Sequence, residues 1–454
     1  MSLSIIILAA GQGTRMYSDK PKVLHTLAGK TLLEHVYQTA VTLSHRDIYI
    51  VYGYGGEQVP DALQDCKVSW VRQEEQLGTG HAVQHVLPDI PDVDNVLILY
   101  GDVPLITEES LSTLVAAASD SGFSLLTAYL DDPRGYGRIV RDEIDNIKSI
   151  VEDKDTDEEQ RRICEVNTGF MVVKANLLKK WVSALDNKNK QKEYYLTDIV
   201  AQAVNDKINI NSVLAESSIE IKGINNRAQL AEAERYYQLV QAHHLMHGGV
   251  GLMDPARFDL RGDLEIGRDN IIDINVVIEG RVKLGNSVSI GANCFIKDAI
   301  IADGVTILPN TMIDNAIIGK GCRVGPFARI RPETTLDSDV HIGNFVELKK
   351  TDVGKGSKIN HLSYIGDSHV GKNVNIGAGT ITCNYDGANK HQTIIGDNVF
   401  VGSDVQLIAP VKVNAGATIA AGTTVSKDVV EGSLAITRAE QRSIEDWKRP
   451  EKKK

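Results

Sequence analysis

The feature that most constrains the fold of this chain is an aliphatic residue that returns every six positions through much of its second half. The repeat tolerates four steps of five residues, after Ile296, Ile313, Leu348 and Ile365. A period of six predicts a parallel β-helix, in which each repeat is one short strand plus a corner and three repeats close a triangular coil. All positions of the series are Ile, Leu or Val: Ile266, Ile272, Ile278, Leu284, Ile290, Ile296, Ile301, Ile307, Ile313, Ile318, Val324, Ile330, Leu336, Ile342, Leu348, Val353, Ile359, Ile365, Val370, Ile376, Ile395, Val401, Leu407, Val413, Ile419 and Val425.

Counting three repeats to a coil supports this register, because it places all four five-residue steps on one face of the prism. The interior of such a coil takes stacked aliphatic side chains, which agrees with 5% aromatic residues and with 39 glycines against 12 prolines. A loop rich in Gly and Asn interrupts the repeat at 382–394, and loops of this kind often carry binding function. After Asp428 we expect the repeat to stop and the rest to form a closing tail with a basic end.

Residues 1–225 alternate short aliphatic runs with polar segments of helical spacing. We predict strands over 4–8, 48–52, 96–100 and 124–129, and helices over 32–43 and 109–118. Near-continuous apolar strands that alternate with helices are typical of a mostly parallel sheet covered on both faces, so we expect a Rossmann-like α/β domain. Such sheets bind ligands at the carboxyl ends of their strands.

The segment 226–247 contains no Gly or Pro, and its apolar residues recur at helical intervals up to Gly248 and Gly249. This pattern predicts one long helix that joins an α/β domain, 1–225, to a β-helix domain, 248–454. A final helix packed on the first domain fits the pattern equally well. At about 150 residues per domain the length of the chain suggests about three units, whereas the sequence pattern indicates two large domains and a helical arm.

Charge and cysteine content exclude several classes of protein. The chain has 49 Lys and Arg against 60 Asp and Glu, a net charge of −11, so we expect no broad binding of nucleic acid. No apolar run reaches the roughly 18 residues that a membrane span needs, and we expect a cytoplasmic protein with no membrane partner. The five cysteines, with no C-x-x-C spacing, are typical of free thiols: Cys66, Cys164, Cys294, Cys322 and Cys383.

A glycine loop follows the first predicted strand. Gly11 and Gly13 let the backbone approach a phosphate closely, although a G-x-G pair is also typical of any tight strand–helix turn. Arg15 and Lys22 add two cations beside the loop, as an attack on a triphosphate requires. Asp102, which follows another predicted strand, is either a metal ligand or a helix cap.

These motifs resemble a known family. The run L-A-A-G-x-G-T-R-M from Leu8, followed by Pro21 and Lys22, resembles the signature of the sugar-nucleotide pyrophosphorylases, and the stretches 73–80, 99–105, 135–138, 151–152, 167–169 and 193–198 resemble it in the same order. With the long β-helix added, nearly the whole chain is similar to the bacterial bifunctional enzymes that have N-acetylglucosamine-1-phosphate uridylyltransferase and glucosamine-1-phosphate N-acetyltransferase activities. The resemblance implies that the β-helix is left-handed.

For the first domain the resemblance implies transfer of UMP from UTP to N-acetylglucosamine 1-phosphate. Arg15 and Lys22 are then catalytic, and Asp102 and Asn225 ligate Mg²⁺. No general base is needed, because the attacking sugar phosphate is already an anion. The base contacts Gln73, Gly78 and Thr79, and the sugar contacts Gly137, Glu152 and Asn167. The full set implied for UTP and UDP-N-acetylglucosamine is Leu8, Ala9, Ala10, Gly11, Lys22, Gln73, Gly78, Thr79, Tyr100, Gly101, Asp102, Gly137, Glu152, Asn167 and Asn225.

For the second domain the chemistry centres on His361. A single histidine is more often structural, and because it falls two residues after the inward Ile359 we expect its side chain inward or toward a corner. The resemblance implies that it is the general base that deprotonates the amine of glucosamine 1-phosphate for attack on acetyl-CoA. The implied sugar-phosphate contacts are Arg331, Lys349, Tyr364 and Asn375, and the implied acetyl-CoA contacts are Ala378, Asn384, Tyr385, Ser403, Ala421 and Arg438, of which Asn384 and Ser403 stabilise the oxyanion.

The family also implies a homotrimer in which a neighbouring subunit completes each acetyltransferase site. Its product, UDP-N-acetylglucosamine, supplies peptidoglycan and lipopolysaccharide. One alternative is a single-function glucose-1-phosphate nucleotidyltransferase with a regulatory β-helix, but the 26 repeats and His361 argue against it. Another is a non-enzymatic scaffold of the translation-factor type, against which the presence of Arg15, Lys22 and Asp102 argues.

Overall fold

The computed structural model describes residues 2–450 and Lys452, and the chain divides into two compact units, Met1–Tyr237 and Gln238–Lys454. The division falls inside a single helix, Arg227–His247, which matches the helix predicted over 226–247. Among the described residues no helix has both the length and the apolar character needed to cross a bilayer.

The first unit is built on a nine-stranded sheet. Its strands are β1 (Leu3–Leu8), β2 (Asp47–Tyr52), β3 (Ser69–Arg72), β4 (Asn95–Tyr100), β5 (Phe123–Tyr129), β6 (Arg138–Arg141), β7 (Ile147–Val151), β8 (Glu165–Lys174) and β9 (Asn211–Leu214). Along the main sheet the order is β9–β5–β8–β4–β1–β2–β3, and only β8 runs antiparallel to its neighbours there. The mostly parallel sheet predicted from the sequence is therefore confirmed, and the four predicted strands lie within one residue of those observed.

Helices cover both faces of this sheet. They are α1 (Leu32–Thr42), α2 (Gln58–Ala62), α3 (Thr79–Val86), α4 (Glu108–Ser121), α5 (Ala175–Val182) and α6 (Ile199–Asn205), while α7 (Arg227–His247) is the helix that contains the division between the units. Alternate residues of β1 supply two separate cores, since Ile5 and Ile7 belong to one cluster and Ile6 and Leu8 to the other. Helix α1 is preceded by the N-cap residue Thr31, whose side chain forms a capping box with Glu34.

The second unit is a coil of short parallel strands stacked in three columns. One face holds Gly251–Leu252, Ile271–Ile272, Ser289–Ile290, Thr306–Ile307, Arg323–Val324, His341–Asn344, Lys358–His361, Asn375–Ile376, Phe400–Val401, Thr418–Ile419 and Leu434–Ala435. The other two faces hold Phe258–Ile266, Val276–Leu284, Phe295–Lys297, Ile300–Ile301, Met312–Asp314, Ala316–Ile318, Arg329–Ile330, Thr334–Leu336, Glu347–Val353, Tyr364–Val370, Ile381–Cys383, Thr393–Ile395, Gln406–Ile408, Val411–Val413 and Thr424–Val425.

The predicted register of this coil is confirmed. Ile272 pairs with Ile290, which pairs with Ile307, and the two other columns continue in the same way. Every position of the six-residue series is buried except Ile266, which packs partly buried against the same core. The aliphatic period therefore marks the inward side chains.

The structure corrects the limits of the repeat. It does not stop after Asp428, because Val429 pairs with Val413 and Ala435 pairs with Ile419. The interruption is also narrower than 382–394, since Thr382 pairs with Leu407 and occupies an inward position of the coil. A polar Thr and a small Ala escaped the aliphatic pattern although both continue the columns.

Candidate active sites

A cavity of about 450 Å³ opens in the first unit at the carboxyl ends of β1, β3 and β4. This is the edge where open parallel sheets bind ligands. Most of the residues implied for nucleotide binding line it together with several others: Leu8, Ala9, Ala10, Gly11, Gln12, Lys22, Val23, Gln73, Gln76, Gly78, Thr79, Ala82, Tyr100, Asp102 and Glu193. Segments separated by up to 185 positions in the chain therefore meet at one edge of the sheet.

Two glycines allow the backbone to close around this cavity. Gly13 has φ 62°, and a Cβ there would lie 2.6 Å from Cβ of Lys22. Gly78 has φ 115°, and a Cβ there would lie 2.6 Å from the carbonyl oxygen of Tyr194. Any side chain at either position would meet both strain and a clash, so the loop before Lys22 and the start of α3 both depend on glycine.

Lys22 lies at the centre of a polar contact beside the cavity. Its Nζ contacts Oδ2 of Asp102 and donates to Oδ1 of Asn225 at 3.0 Å. The side chains of Lys22 and Asp102 are only 12% and 20% exposed. The backbone N–H of Ile224 also donates to the carbonyl of Asp102 at 2.9 Å. The contact therefore joins residues from three distant parts of the sequence.

The residues implied for sugar binding form a second, acidic group. Glu152 accepts a hydrogen bond from Oγ1 of Thr197 at 2.9 Å, and its pKa is raised, chiefly by burial. Asn167 is buried, and its backbone N–H donates to the carbonyl of Gly137 at 2.8 Å. Burial together with neighbouring carboxylates raises the pKa of Asp198 to about 6. Glu152 and Asn167 thus place carboxylate oxygens and a side-chain amide close to Gly137.

Two other implied residues behave differently. The backbone N–H of Gly101 donates to the carbonyl of Leu8 at 2.9 Å, which joins the ends of β4 and β1 at the edge of the cavity. Burial raises the pKa of Tyr100 beside it. Arg15 is exposed on the short helix Thr14–Met16 and is not among the residues that line the cavity.

In the second unit His361 lies at a corner of the coil, which is one of the two placements predicted for its side chain, and does not point inward. Its side chain is exposed at the end of the strand Lys358–His361, where the chain turns at Leu362 with φ 46°. The turn breaks the alternation that would have carried the side chain into the coil. Nδ1 of His361 lies 2.9 Å from Oδ1 of Asn344, its pairing partner on the preceding coil.

His361 heads a column of small residues along this face. Ile359, Ile376, Val401 and Ile419 pair in succession. The second residue after each of them is therefore aligned from coil to coil, which places Ala378, Ser403 and Ala421 in one column with His361. Three of the residues implied for acetyl-CoA binding thus share this column, which we call the His361 column.

Basic residues and their acidic partners occupy the next face. Arg331 donates to Glu347 at 2.7 Å, and Lys349 lies 3.4 Å from a carboxylate oxygen of Asp367. The same carboxylate accepts a hydrogen bond from Nδ2 of Asn384. Arg331 and Lys349 follow the paired residues Ile330 and Leu348, so the two cations are stacked on adjacent coils. The carboxylates hold the basic side chains in place.

The interrupting loop contributes a further cation. A side-chain hydrogen bond with Lys349, together with the charge of Lys349, lowers the pKa of Lys390, which lies in that loop. The loop is held by Asp386, which accepts hydrogen bonds from the N–H groups of Ala388 and Asn389, at 2.8 and 2.7 Å. Two lysines thus meet beside Asp367.

The remaining implied residues do not all join this group. Tyr364 lies 3.5 Å from Nδ2 of Asn384 through its hydroxyl. Asn375, in contrast, pairs with Lys358 on the face that carries His361, and so lies on a different face from Lys349. Tyr385 and Arg438 are both exposed, Tyr385 in the interrupting loop and Arg438 beyond the last strand.

Sequence reasoning missed two residues beside these groups. Asn344 lies one coil before His361, and counting positions from coil to coil could have found it. Lys390 escaped because the loop that carries it has no period, so nothing in the sequence places it beside Lys349.

Comparison with known proteins agrees with both units. The pattern of the MobA-like NTP transferase domain matches residues 5–166, that of the GMPPB C-terminal domain matches 260–341, and that of the bacterial transferase hexapeptide (six repeats) matches 392–427. The solved structure of a UDP-glucose pyrophosphorylase complexed with UDP-glucose aligns with 52% of this chain and 98% of its own, at 18% identity and a TM-score of 0.42.

Two curated relatives cover the whole chain. The bifunctional protein GlmU of Marinobacter nauticus is 55% identical over 450 residues, 99% of each chain. The bifunctional protein GlmU of Methylococcus capsulatus is 54% identical over 453 residues, 100% of this chain and 98% of its own. The second unit is accordingly a left-handed parallel β-helix of hexapeptide repeats. The chain belongs to the GlmU family of bifunctional enzymes, which join a uridylyltransferase and an acetyltransferase in one polypeptide.

Proposed function

We propose that the two activities of this enzyme are divided between its units, with uridylyl transfer to N-acetylglucosamine 1-phosphate at the cavity of the first and acetylation of glucosamine 1-phosphate beside the His361 column of the second. The observation that carries the first assignment is the contact of Lys22 with Asp102 and Asn225 next to a glycine loop. The product of the acetyl transfer is then the sugar phosphate that the first unit consumes.

The residues around Lys22 suit a magnesium ion. Carboxylate and amide oxygens from Asp102 and Asn225 converge on one cationic atom, Nζ of Lys22, so they can converge on a metal ion in the same place. Mg²⁺ prefers such oxygen donors and needs only one or two of them beside phosphates and water. Bound there, Mg²⁺ supplies positive charge to the phosphates of UTP. Lys22 then pairs with the triphosphate instead.

Uridylyl transfer requires positioning and charge neutralisation more than proton transfer. The phosphate of the sugar attacks the α-phosphate of UTP as an anion, and pyrophosphate leaves. Lys22, Arg15 and the amides of the glycine loop neutralise the charge that collects on the phosphates. The nucleotide lies against Leu8, Ala9, Ala10, Gly11, Tyr100 and Gly101, with its base at Gln73, Gly78 and Thr79 and the sugar at Gly137, Glu152 and Asn167.

His361 is the general base of acetyl transfer. With its Nδ1–H donated to Oδ1 of Asn344, the imidazole keeps a lone pair on Nε2. Nε2 accepts a proton from the amine of glucosamine 1-phosphate, whose nitrogen attacks the thioester carbonyl of acetyl-CoA. Asn384 and Ser403 stabilise the oxyanion of the tetrahedral intermediate. As the C–S bond breaks, the imidazolium returns the proton to the sulfur, and coenzyme A leaves as the thiol.

The cations on the next face suit the phosphate of glucosamine 1-phosphate. Arg331, Lys349 and Lys390 supply positive charge, and Tyr364 supplies a hydroxyl. Acetyl-CoA lies along the His361 column, where Ala378, Ser403 and Ala421 leave room for an extended chain, with Asn384, Tyr385 and Arg438 at its sides.

We also propose that the enzyme works as a cytoplasmic homotrimer. Asn375 lies on a different face from Lys349, so one chain does not gather the full acetyltransferase set. Next to His361, a corner of the coil exposes Phe327, Phe345 and Leu362 at 49%, 55% and 62%. A neighbouring subunit packed on this apolar corner covers it and brings its own residues to the site.

An assay of two variants tests the division of activities. His361→Ala removes acetyl transfer and leaves uridylyl transfer, and Asp102→Asn does the reverse. Loss of both activities in either variant, with circular dichroism and thermal unfolding unchanged, would contradict the division.

A further inference from the structure

The amide of Gln73 is held in one orientation at the end of the cavity. Gln73 follows β3, is 2% exposed, and its backbone N–H donates to the carbonyl of Tyr52 at 2.8 Å. Its Nε2 donates to the carbonyl of Gly78 at 3.2 Å and lies 3.1 Å from Nδ1 of His81. A carbonyl oxygen only accepts, so the amide nitrogen must face Gly78.

The contact with His81 uses the second amide hydrogen. Because Nε2 of Gln73 is a donor, Nδ1 of His81 must accept, and the imidazole proton lies on its Nε2. Both N–H groups of the Gln73 side-chain amide then donate to atoms of the protein. In the described part of the chain Oε1 of Gln73 has no protein hydrogen-bond partner. Towards a ligand in the cavity this side chain therefore offers an acceptor and no donor.

The ring of His81 is itself held in place. His81 is the third residue of α3, and its ring packs edge-on against His85 at 4.5 Å and lies 6.3 Å from the ring of Tyr194. A second amide follows the same pattern, since Nε2 of Gln76 donates to the backbone carbonyls of Gln73 and Glu74. This end of the cavity thus points amide nitrogens at the protein.

We propose that His81 is a positioning residue that fixes the amide of Gln73 with its oxygen toward the base, so that the site selects an imide N–H. The inference rests on the proposed function, in which Gln73 contacts the base of UTP. Uracil presents a donor at N3, whereas cytosine presents a lone pair there, and a buried acceptor facing that lone pair is left unpaired. Without Nδ1 of His81 only the carbonyl of Gly78 orients the amide, so the turned amide, which offers N–H to the base, costs one hydrogen bond less.

Three variants of the full-length enzyme test this role. His81→Phe keeps a ring and removes the acceptor, His81→Asn keeps an acceptor, its Oδ1, near the place of Nδ1, and His85→Phe is the control for ring packing on the same helix. We expect His81→Phe to raise KM for UTP about tenfold, because one hydrogen bond that orients the amide of Gln73 is lost. The kcat and the KM for N-acetylglucosamine 1-phosphate should stay unchanged. The ratio of kcat/KM for UTP over CTP should fall, and His81→Asn should restore it.

The outcomes separate this inference from the proposed function. If Gln73→Ala raises KM for UTP and His81→Phe leaves both KM and the UTP/CTP ratio unchanged, the positioning role is wrong and the base site stands. A fall of kcat in His81→Phe and His81→Asn alike, or the same effect in His85→Phe, also overturns the positioning role. If Gln73→Ala itself leaves KM for UTP unchanged, the proposed base contact is wrong.

Discussion

The two sites of this enzyme are built in opposite ways. The cavity of the first unit gathers Lys22, Asp102 and Asn225 from three distant parts of the sequence, and their contacts are complete within one chain. In the second unit His361 stands exposed, and its column repeats with the coil, one residue from each turn. A parallel sheet converges ligands at one edge, whereas a coil lays them out along a line.

Because of this difference, the two sites differ in how many of their residues a single chain brings together. The cavity is lined mostly by buried and half-buried residues, and the contacts of Lys22 with Asp102 and Asn225 lie within the same unit. The β-helix surface instead leaves Lys349 on a different face from His361 and Asn375, and exposes an apolar corner beside His361. We therefore expect the first site to tolerate separation of subunits, and the second to depend on assembly.

The largest expected effect is on the exposed base. His361→Ala should lower kcat for acetyl transfer about 10²- to 10⁴-fold, the range of general-base catalysis, with uridylyl transfer unchanged. His369→Ala, which removes another exposed histidine of the β-helix, is the matched control. The measurement is the steady-state rate of thiol release from acetyl-CoA. A fall of less than tenfold would show that a different group takes the proton.

The next effect concerns the self-contained cavity. Asp102→Asn should lower kcat for uridylyl transfer about 10²- to 10³-fold, because a charge that acts on the phosphates is lost, while acetyl transfer stays unchanged. Asp120→Asn, at an exposed position of α4, is the control. Pyrophosphate release at saturating Mg²⁺ measures it. Full activity of Asp102→Asn would leave the contact of Lys22 as a structural ion pair only.

The same contrast explains how much could be predicted from the sequence. The register of the coil could be predicted, because the burial of aliphatic side chains imposes one six-residue period on all three columns. Thr382 escaped it because a buried Thr is acceptable once its hydroxyl is hydrogen-bonded, and Oγ1 accepts from the N–H of Gly366 at 2.8 Å. The alternation left His361 either inward or at a corner, and the corner is observed because the positive φ at Leu362 ends the alternation of the strand.

In the first unit the resemblance named residues that the structure gathers at one cavity, but no pattern predicts their contacts. The bridge from Lys22 to Asp102 and the contact of Gln73 with His81 depend on how loops close after the sheet has formed. Side-chain pairing across such loops has no period, so the sequence alone does not predict it.

A medium effect tests dependence on assembly. Asn375→Ala should lower acetyl transfer about tenfold, as expected for loss of a polar contact to the substrate. When Lys349→Ala and Asn375→Ala chains are refolded together, mixed oligomers should regain part of the lost activity, because some sites then take Lys349 from one chain and Asn375 from another. Asn375→Ala mixed with itself is the control. No recovery in mixed oligomers confirmed by mass would place both residues in the same chain's site.

The smallest effect concerns the acidic group near the sugar position and is a test of stability. Burial and the charges of Glu152, Asp186 and Asp155 raise the pKa of Asp198 to about 6 in the folded chain, above the ~3.9 of an unfolded Asp. The folded state therefore holds this proton more tightly, so the contribution of Asp198 to stability is full below about pH 4 and is lost as the pH rises through about 6.

Asp198→Asn, which is neutral at every pH, should therefore raise the free energy of unfolding at pH 7.5 by about 1 kcal/mol, after allowance for the screening of a half-buried group. The gain should shrink steadily as the pH falls from 6 to 4. Denaturant unfolding of the first unit at several pH values measures the difference, with Asp120→Asn as the exposed control. An equal gain at pH 4 and pH 7.5 would mean that the substitution acts through packing and not through the charge of Asp198.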